Sequence, residues 1–340
     1  MSELRRDPIV GSRWVVFAPE RRQRPQQLPL PTWPLPSPSP FVAGNERLTP
    51  PEIFAIRPAG SAPNSPGWKV RVVPNRFPAL RVEGELGREP VGFYDRMNGI
   101  GAHEVIIETP DPSLELEEQT QEGVADVLRA FRARMADLRQ DIRLRYVLIF
   151  KNVGALAGAT IRHPHSQLIA LPVVPRAVRE KLHYAELHWE AKERNIFEDV
   201  LRSEQKSGER MVMENSSFAA FCPYASRFPF EVWIMPKFAA PDFYTLDEHN
   251  LALFAEILRG VLRKLRRGLK QVHYNFVIHT APFRDPRSGL WSLVEQTFRW
   301  HMEILPRLSN VAGFEYGTGF YINPVFPEEA AEFLRRVRVE

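Results

Sequence analysis

The stretch Ala157-Gly158-Ala159-Thr160-Ile161-Arg162-His163-Pro164-His165-Ser166-Gln167-Leu168-Ile169-Ala170-Leu171-Pro172 puts two imidazoles one residue apart and follows them with a hydroxyl and an amide. An apolar run comes next and reads as a buried strand. In an extended segment residues two apart point the same way, so His163 and His165 are expected to share a face. Three chemistries compete for such a pair. The histidines can be metal ligands, although zinc wants four donors and carboxylate or thiolate help. They can be structural, with ring N–H groups bonded to backbone carbonyls. Or one imidazole can act as a nucleophile while its other nitrogen is held by backbone. The neighbours favour the third reading. Ser166 and Gln167 offer donors suited to phosphate oxygens, and the glycines at 154 and 158 let backbone approach a ligand closely.

Working outward, residues 146–150 read as a strand leading into the turn Lys151-Asn152-Val153-Gly154. Upstream lie strands at 69–73 and 103–109. They precede a helix whose apolar positions Val124, Val127, Leu128, Phe131, Met135 and Leu138 keep i, i+3, i+4, i+7 spacing. A strand at 13–18 precedes the basic run Arg21, Arg22, Arg24, which by itself reads as a solvated turn, and then a proline-rich surface segment at 25–40. Downstream, the spacing predicts one charged helix over 176–202, strands at 211–213, 218–221 and 232–235, and a helix over 247–270. Strands at 274–279 and 298–304 and a closing amphipathic helix at 328–337 complete the chain. This mixed order predicts an α+β fold, an antiparallel sheet with helices packed on it.

A weak repeat runs through this order. Arg76-Phe77-Pro78, Glu104-Val105, a helix, Phe150 and His165-Ser166-Gln167 recur as Arg227-Phe228-Pro229, Glu231-Val232, a helix, Phe276 and His301-Met302-Glu303. A duplicated unit follows, with halves at 1–172 and 173–340. Only the first half keeps the paired histidines.

The 340 residues suffice for two such units, and 44% hydrophobic with 25% charged residues is the composition of a folded soluble protein. The 45 basic and 41 acidic side chains leave a formal charge of +4 with no basic stripe, which argues against nucleic acid as a partner. The one cysteine, Cys222, excludes an internal disulfide or a cysteine-built metal cage. Neither an apolar signal segment nor an uninterrupted apolar span is present, so no membrane partner and a cytoplasmic location are expected.

With His-Pro-His-x-Gln before an apolar strand, the segments Asn75-Arg76-Phe77-Pro78-Ala79-Leu80, Gly101-Ala102-His103-Glu104-Val105, Phe150-Lys151-Asn152 and Ala312-Gly313-Phe314-Glu315 resemble the galactose-1-phosphate uridylyltransferase family. That family is a branch of the histidine-triad superfamily, built from two histidine-triad-like halves. The resemblance implies a ping-pong exchange of UMP between UDP-glucose and a hexose 1-phosphate through a uridylyl-histidine at His165. Gln167 and Thr160 would lie beside the phosphate, with Ser166 and His163 adjoining. Asn75, Phe77 and Asn152 match the nucleotide pocket. Arg21 and Arg24 match phosphate-reaching arginines that in the family often cross a dimer interface, so a homodimer is expected. Phe314 and Glu315 match hexose-holding positions; for Glu315 the competing reading is a rim carboxylate.

The departures bear on metals. Many family members carry Cys-x-x-Cys before Gly-Asn-Glu and bind structural zinc with two histidines; here Ser39 and Val42 precede Gly44-Asn45-Glu46. His103 and His163 remain as a remnant, expected to be held by hydrogen bonds without zinc. The family also implies a second metal site in the C-terminal half, matched by Glu180 within a residue, His279, His301 and Glu303. A structural zinc or iron and a hydrogen-bonded core cluster both remain open for it; no cofactor is required for the chemistry. Two further readings stay open. Ser166 and the segments 171–175 and 312–327 look like the ADP-glucose phosphorylase-like branch, which transfers adenylyl groups, whereas Pro164 is shared with the uridylyltransferases. A non-catalytic nucleotide-binding protein is the third reading, against which the intact His165 and Gln167 argue.

Overall fold

The computed structural model describes residues 2–23, 39–270, 272–284 and 291–339. In chain order the first half supplies β1 (Glu3–Arg6), β2 (Trp14–Phe17), β3 (Phe54–Ile56), β4 (Val70–Pro74), the hairpin β5 (Glu89–Val91) and β6 (Tyr94–Arg96), β7 (Ala102–Ile107), α1 (Gln121–Leu138), β8 (Tyr146–Val153) and β9 (His165–Leu171). The rest supplies α2 (Arg176–Lys192), α3 (Ile196–Ser207), β10 (Met211–Glu214), β11 (Phe218–Phe221), β12 (Val232–Pro236), α4 (Glu248–Leu269) and β13 (Tyr274–His279). It ends with α5 (Val294–Thr297), β14 (His301–Pro306), α6 (Gly313–Thr318), β15 (Tyr321–Asn323) and α7 (Pro327–Arg336). Among the described residues no helix is long and apolar enough to cross a membrane.

Ten strands form one antiparallel sheet in the order β10-β11-β12-β14-β13-β8-β9-β7-β4-β3. Its seam is the pairing of β13 with β8, Tyr274 opposite Val153 and Ile278 opposite Ile149. Read outward from that seam, β8-β9-β7-β4-β3 is matched strand for strand by β13-β14-β12-β11-β10, and α1 joins β7 to β8 as α4 joins β12 to β13. The fold is a duplicated α+β unit whose two halves share a continuous sheet.

Register corrects the repeat as read from sequence. Gln167 lies opposite Val105 and Phe150, while Glu303 lies opposite Trp233 and Val277. The counterpart of Phe150 is therefore Val277, not Phe276, and His103 matches Glu231. Short similar pairs had aligned one residue out of step, which in a strand exchanges the two faces.

One face is covered by α1 and α4. Val124, Val127, Leu128 and Phe131 of α1 meet Phe254, Leu258 and Val261 of α4 with no solvent exposure, each burial stabilising by about 1.5–3 kcal/mol. The opposite face is treated differently in the two halves. Over the second half, Val178, Leu182 and Ala185 of α2 and Phe197 and Leu201 of α3 close onto Ala219, Phe221, Trp233 and Met235. Over the first half a small cluster, Phe41, Trp68, Val73, Val105 and Ile107, is the cover. That asymmetry leaves the start of β9 accessible and buries the start of β14.

Three element boundaries differ from expectation, the first being that β8 runs on through Lys151 and Asn152 to Val153, residues read as a turn, because they pair with β13. The charged segment after 176 is two helices, because Glu193 adopts a left-handed conformation (φ 52°) and Asn195 caps α3 through its side chain, accepting from Phe197 N and Glu198 N. The last long strand starts at His301, since Phe298 N still bonds back to Val294 O at the end of α5 and Trp300 N donates to Ala240 O outside the sheet. Besides the main sheet, β1-β2-β15 form a small sheet with β15 parallel to β2. Arg24 and most of the proline tract lie outside the described residues.

Candidate active site

Strand β9 begins at His165, so the two-residue alternation operates from His165 to Gln167, and His163 sits in the approach to the strand. His165 is 9% exposed. Its Nδ1–H donates to the carbonyl of His163 at 2.7 Å. A carbonyl can only accept, so this bond fixes the tautomer and leaves Nε2 with a free lone pair. Burial, the largest effect, pulls the imidazole down to about 4, with Lys151 adding to it, so the ring is neutral at pH 7. His163 in turn donates from Nε2 to Thr109 O at 2.7 Å, and burial lowers it as well. Phe41 packs edgewise on both rings. His165, His163, Asn152, Gly154 and Arg162 line a cleft of about 200 Å³ at the end of β9.

Gln167 shares the open face. Its Oε1 accepts from His103 Nε2 at 2.9 Å, while His103 Nδ1 accepts from Ala79 N at 3.2 Å. Both nitrogens of His103 are thus engaged, and the Gln167 amide is oriented with its NH2 group left to donate. Asn75 lies 3.1 Å from the same His103 nitrogen, and its Oδ1 accepts from Phe77 N at 2.9 Å. Phe77 itself is 83% exposed. Asn152 is held by Asn275 Nδ2, which donates to its Oδ1 at 2.8 Å. Thr160 is exposed on the loop before the motif.

Ser166 does not face this site. It lies on the helix-covered side of β9 with no exposure, and its Oγ donates to Glu108 Oε1 at 2.5 Å. Glu108 Oε2 accepts from Lys151 Nζ at 2.6 Å, and the same ammonium reaches His165 O at 3.3 Å. The expectation that Ser166 donates to phosphate fails on strand alternation: residues adjacent in β9 point to opposite faces. The role it plays instead, with Glu108 and Lys151, is a buried network under the backbone of His165. Glu108 and Lys151 were missed as site residues. The signal was legible, since Glu108 shares strand parity with Ile106, and Lys151 with Val147 and Ile149, all core residues.

Comparisons with known proteins can be set on this geometry. Residues 56–175 match the family model for galactose-1-phosphate uridyl transferase, N-terminal domain, and residues 118–337 match that of a domain of unknown function. The chain is 37% identical over 344 residues to ADP-glucose phosphorylase of Arabidopsis thaliana, covering 98% of this chain and 93% of that one. The chain belongs to the galactose-1-phosphate uridylyltransferase family. Within that family it is also 29% identical to galactose-1-phosphate uridylyltransferase of Thermotoga maritima across the full length of both. A crystal structure of an ADP-glucose phosphorylase from Arabidopsis thaliana with bound ADP-glucose superposes with a TM-score of 0.85 at 35% identity, covering all of both chains. Nucleotidyl transfer is the activity class these relatives share.

Other family-matched residues fall elsewhere. Arg21 is exposed on the turn Pro19–Gln23, next to β15, where neighbouring Arg22 donates to Pro324 O at 2.7 Å. Phe314 (42% exposed) and Glu315 lie on α6, where the Glu315 carboxylate accepts from Ala312 N at 2.9 Å and caps its own helix. Among the described residues no hydrogen bond or ion pair joins Arg21, Phe314 or Glu315 to residues 163–167.

The family's second metal site is altered. Glu180 points outward and pairs with Arg176 at 2.8 Å on α2. The residue turned inward is Lys181, whose Nζ lies 2.6 Å from His301 Nε2 and 2.5 Å from Glu303 Oε1. Burial pulls this lysine down to about 8, against the attraction of Glu303, so it stays an ammonium at neutral pH. Burial would raise the Glu303 carboxyl, but Arg227 and Lys181 override it and hold the group well below the usual carboxylate range. His279, His301 and Glu303 do bring three donor atoms within 4.8 Å of one another. The donor set nevertheless does not fit a divalent ion, because two of the three donors, His301 Nε2 and Glu303 Oε1, are already hydrogen-bonded to an ammonium. Lys181 was also readable in sequence: it occupies the apolar stripe Val178, Leu182, Ala185.

Proposed function

We propose that the protein is an adenylyltransferase of the ADP-glucose phosphorylase kind, working through a covalent nucleotidyl-histidine at His165. The observation that carries the mechanism is the 2.7 Å bond from His165 Nδ1 to His163 O, which leaves a neutral Nε2 at the cleft. That lone pair attacks the α-phosphorus of ADP-glucose, the bond to the bridging oxygen breaks, and glucose 1-phosphate leaves with the electron pair. An orthophosphate oxygen then attacks the same phosphorus, ADP forms, and the nitrogen regains its lone pair. Gln167, oriented by His103, donates its NH2 to a non-bridging oxygen as charge builds there.

Adenine is favoured over uracil by the full-length similarity to the Arabidopsis ADP-glucose phosphorylase and by the likeness to its ADP-glucose complex. Uridylyl transfer from UDP-glucose to galactose 1-phosphate is the second reading, supported by the match of residues 56–175 and by Pro164. In both, Asn75, Phe77 and Asn152 hold the nucleoside and Thr160 adjoins the phosphate. Arg21, Phe314 and Glu315 reach the hexose phosphate from a second copy in a homodimer, in keeping with the lack of any bond from them to residues 163–167 among the described residues.

Incubation with ADP-glucose or UDP-glucose without acceptor, followed by intact mass under mildly basic conditions, tests this. An adenylyl-sized gain absent from His165→Ala is expected. A uridylyl-sized gain alone selects the second reading, and equal turnover in wild type and His165→Ala refutes the mechanism.

A further inference from the structure

The second half carries a structural copy of the nucleophile's surroundings. His301 begins β14 as His165 begins β9, and its Nδ1–H donates to Arg299 O at 3.0 Å as His165 Nδ1–H donates to His163 O. Both bonds fix the same tautomer and leave Nε2 with its lone pair. In the first half that lone pair opens on a cleft. In the second it meets the ammonium of Lys181.

We propose that Lys181 is the built-in cation of a pocket laid out for a metal ion, so that this pocket excludes divalent metal in the native protein and becomes a zinc site when the ammonium is removed. Three observations carry this. The Lys181 ammonium donates to two of the three convergent donors, His301 Nε2 at 2.6 Å and Glu303 Oε1 at 2.5 Å, while the third, His279 Nε2, lies 3.5 Å from the same carboxylate oxygen. The position of the charge is therefore taken, and an ion bound there would sit in contact distance of the ammonium.

The charges already balance. Glu303 and Glu231 are met by Lys181 and Arg227, whose guanidinium bridges both carboxylates. Adding a divalent ion would leave two uncompensated positive charges in a pocket where His301, Glu303 and Glu231 are at most 1% exposed, a penalty that nothing nearby offsets. The lysine also cannot withdraw cheaply. Its Nζ lies 4.9 Å from the ring centroid of Trp233, and Val178, Leu182 and Ala185 anchor the same face of α2 in the core.

The test is zinc content and thermal midpoint of the full chain. Wild type, Lys181→Glu and Lys181→Met, each with and without His301→Ala, are incubated with zinc chloride, desalted and assayed by elemental mass spectrometry. Wild type is expected to hold no more zinc than its His301→Ala variant, with a midpoint unmoved by zinc or by EDTA. Lys181→Glu is expected to gain about one zinc per chain, to be stabilised by it, and to lose both effects with His301→Ala. Zinc in wild type that disappears with His301→Ala overturns the proposal. So does a folded Lys181→Glu with no zinc above wild type. If neither lysine variant folds with or without zinc, the wild-type comparison alone decides, since zinc held there through His301 contradicts a pocket filled by Lys181.

Discussion

Replacing Ser166 with alanine separates a structural hydroxyl from a phosphate-binding one. The hydroxyl is fully buried and donates at 2.5 Å to Glu108, whose other oxygen is held by Lys151 at 2.6 Å. A hydrogen bond to a buried charged acceptor contributes about 1.5–3 kcal/mol, and alanine removes the donor that this oxygen has in the folded protein. A loss of about 2 kcal/mol is therefore expected, roughly a 30-fold change in the ratio of folded to unfolded protein. Because the hydroxyl points away from the cleft, nucleotide-sugar affinity should change by less than about twofold, under 0.5 kcal/mol. Urea unfolding at pH 7 measures the first quantity and equilibrium binding to His165→Ala with or without Ser166→Ala the second. A cycle with Glu108→Gln should return most of the loss as coupling. Unchanged stability together with tenfold weaker binding would show that Ser166 serves phosphate, and the reading of its face would fall.

Removing His103 with alanine frees the Gln167 amide to rotate, and with one orienting bond lost kcat/KM should fall by about 3- to 10-fold while the midpoint of unfolding moves little; an unaltered kcat/KM would separate His103 from the site. Gly154 has φ +84°, and a Cβ there would sit 2.1 Å from the His273 ring, so Gly154→Ala should cost more than about 2 kcal/mol in urea unfolding and loosen the cleft rim. His165 and His279, each drawn by burial from 6.5 to about 4, bind protons on unfolding before they do so folded. Their contribution to stability is complete above pH 6.5 and is lost as pH falls toward 4, about 2 kcal/mol each by pH 5. Urea midpoints across that window should show the slope, reduced in His165→Asn; a flat profile would contradict neutral burial of these rings.

Much of this was present in the chain as text. Helical spacing located α1 and α4 because their stripes are continuous and face one core, and the repeated order of motifs exposed the duplication. What sequence misplaced were matters of register and side. A pair such as Glu-Val aligns equally well one residue out of step, and only the ladder shows that His103, not Glu104, answers to Glu231. The assignment of Ser166 to phosphate used proximity in sequence where alternation along β9 should have ruled. Glu180 was matched to the family's metal site within a residue of register, yet Lys181 lies on the buried stripe of α2 and Glu180 does not.

The two halves show how little separates the proposed nucleophile from a core histidine. His165 and His301 begin equivalent strands, each with Nδ1 tied to the carbonyl two residues before it and each pulled well below its ordinary range by burial. Intrinsic basicity therefore does not distinguish them; what differs is the atom facing Nε2. Over β9 the cover is a small cluster around Phe41 and the lone pair looks into a cleft. Over β14 the helices α2 and α3 close the face and deliver an ammonium to the same point. A nitrogen whose lone pair already accepts a 2.6 Å hydrogen bond from a charged donor has no electrons to offer phosphorus. In the proposed mechanism reactivity is thus assigned by the layer that covers each half, and the histidines themselves supply only the readiness that both copies share.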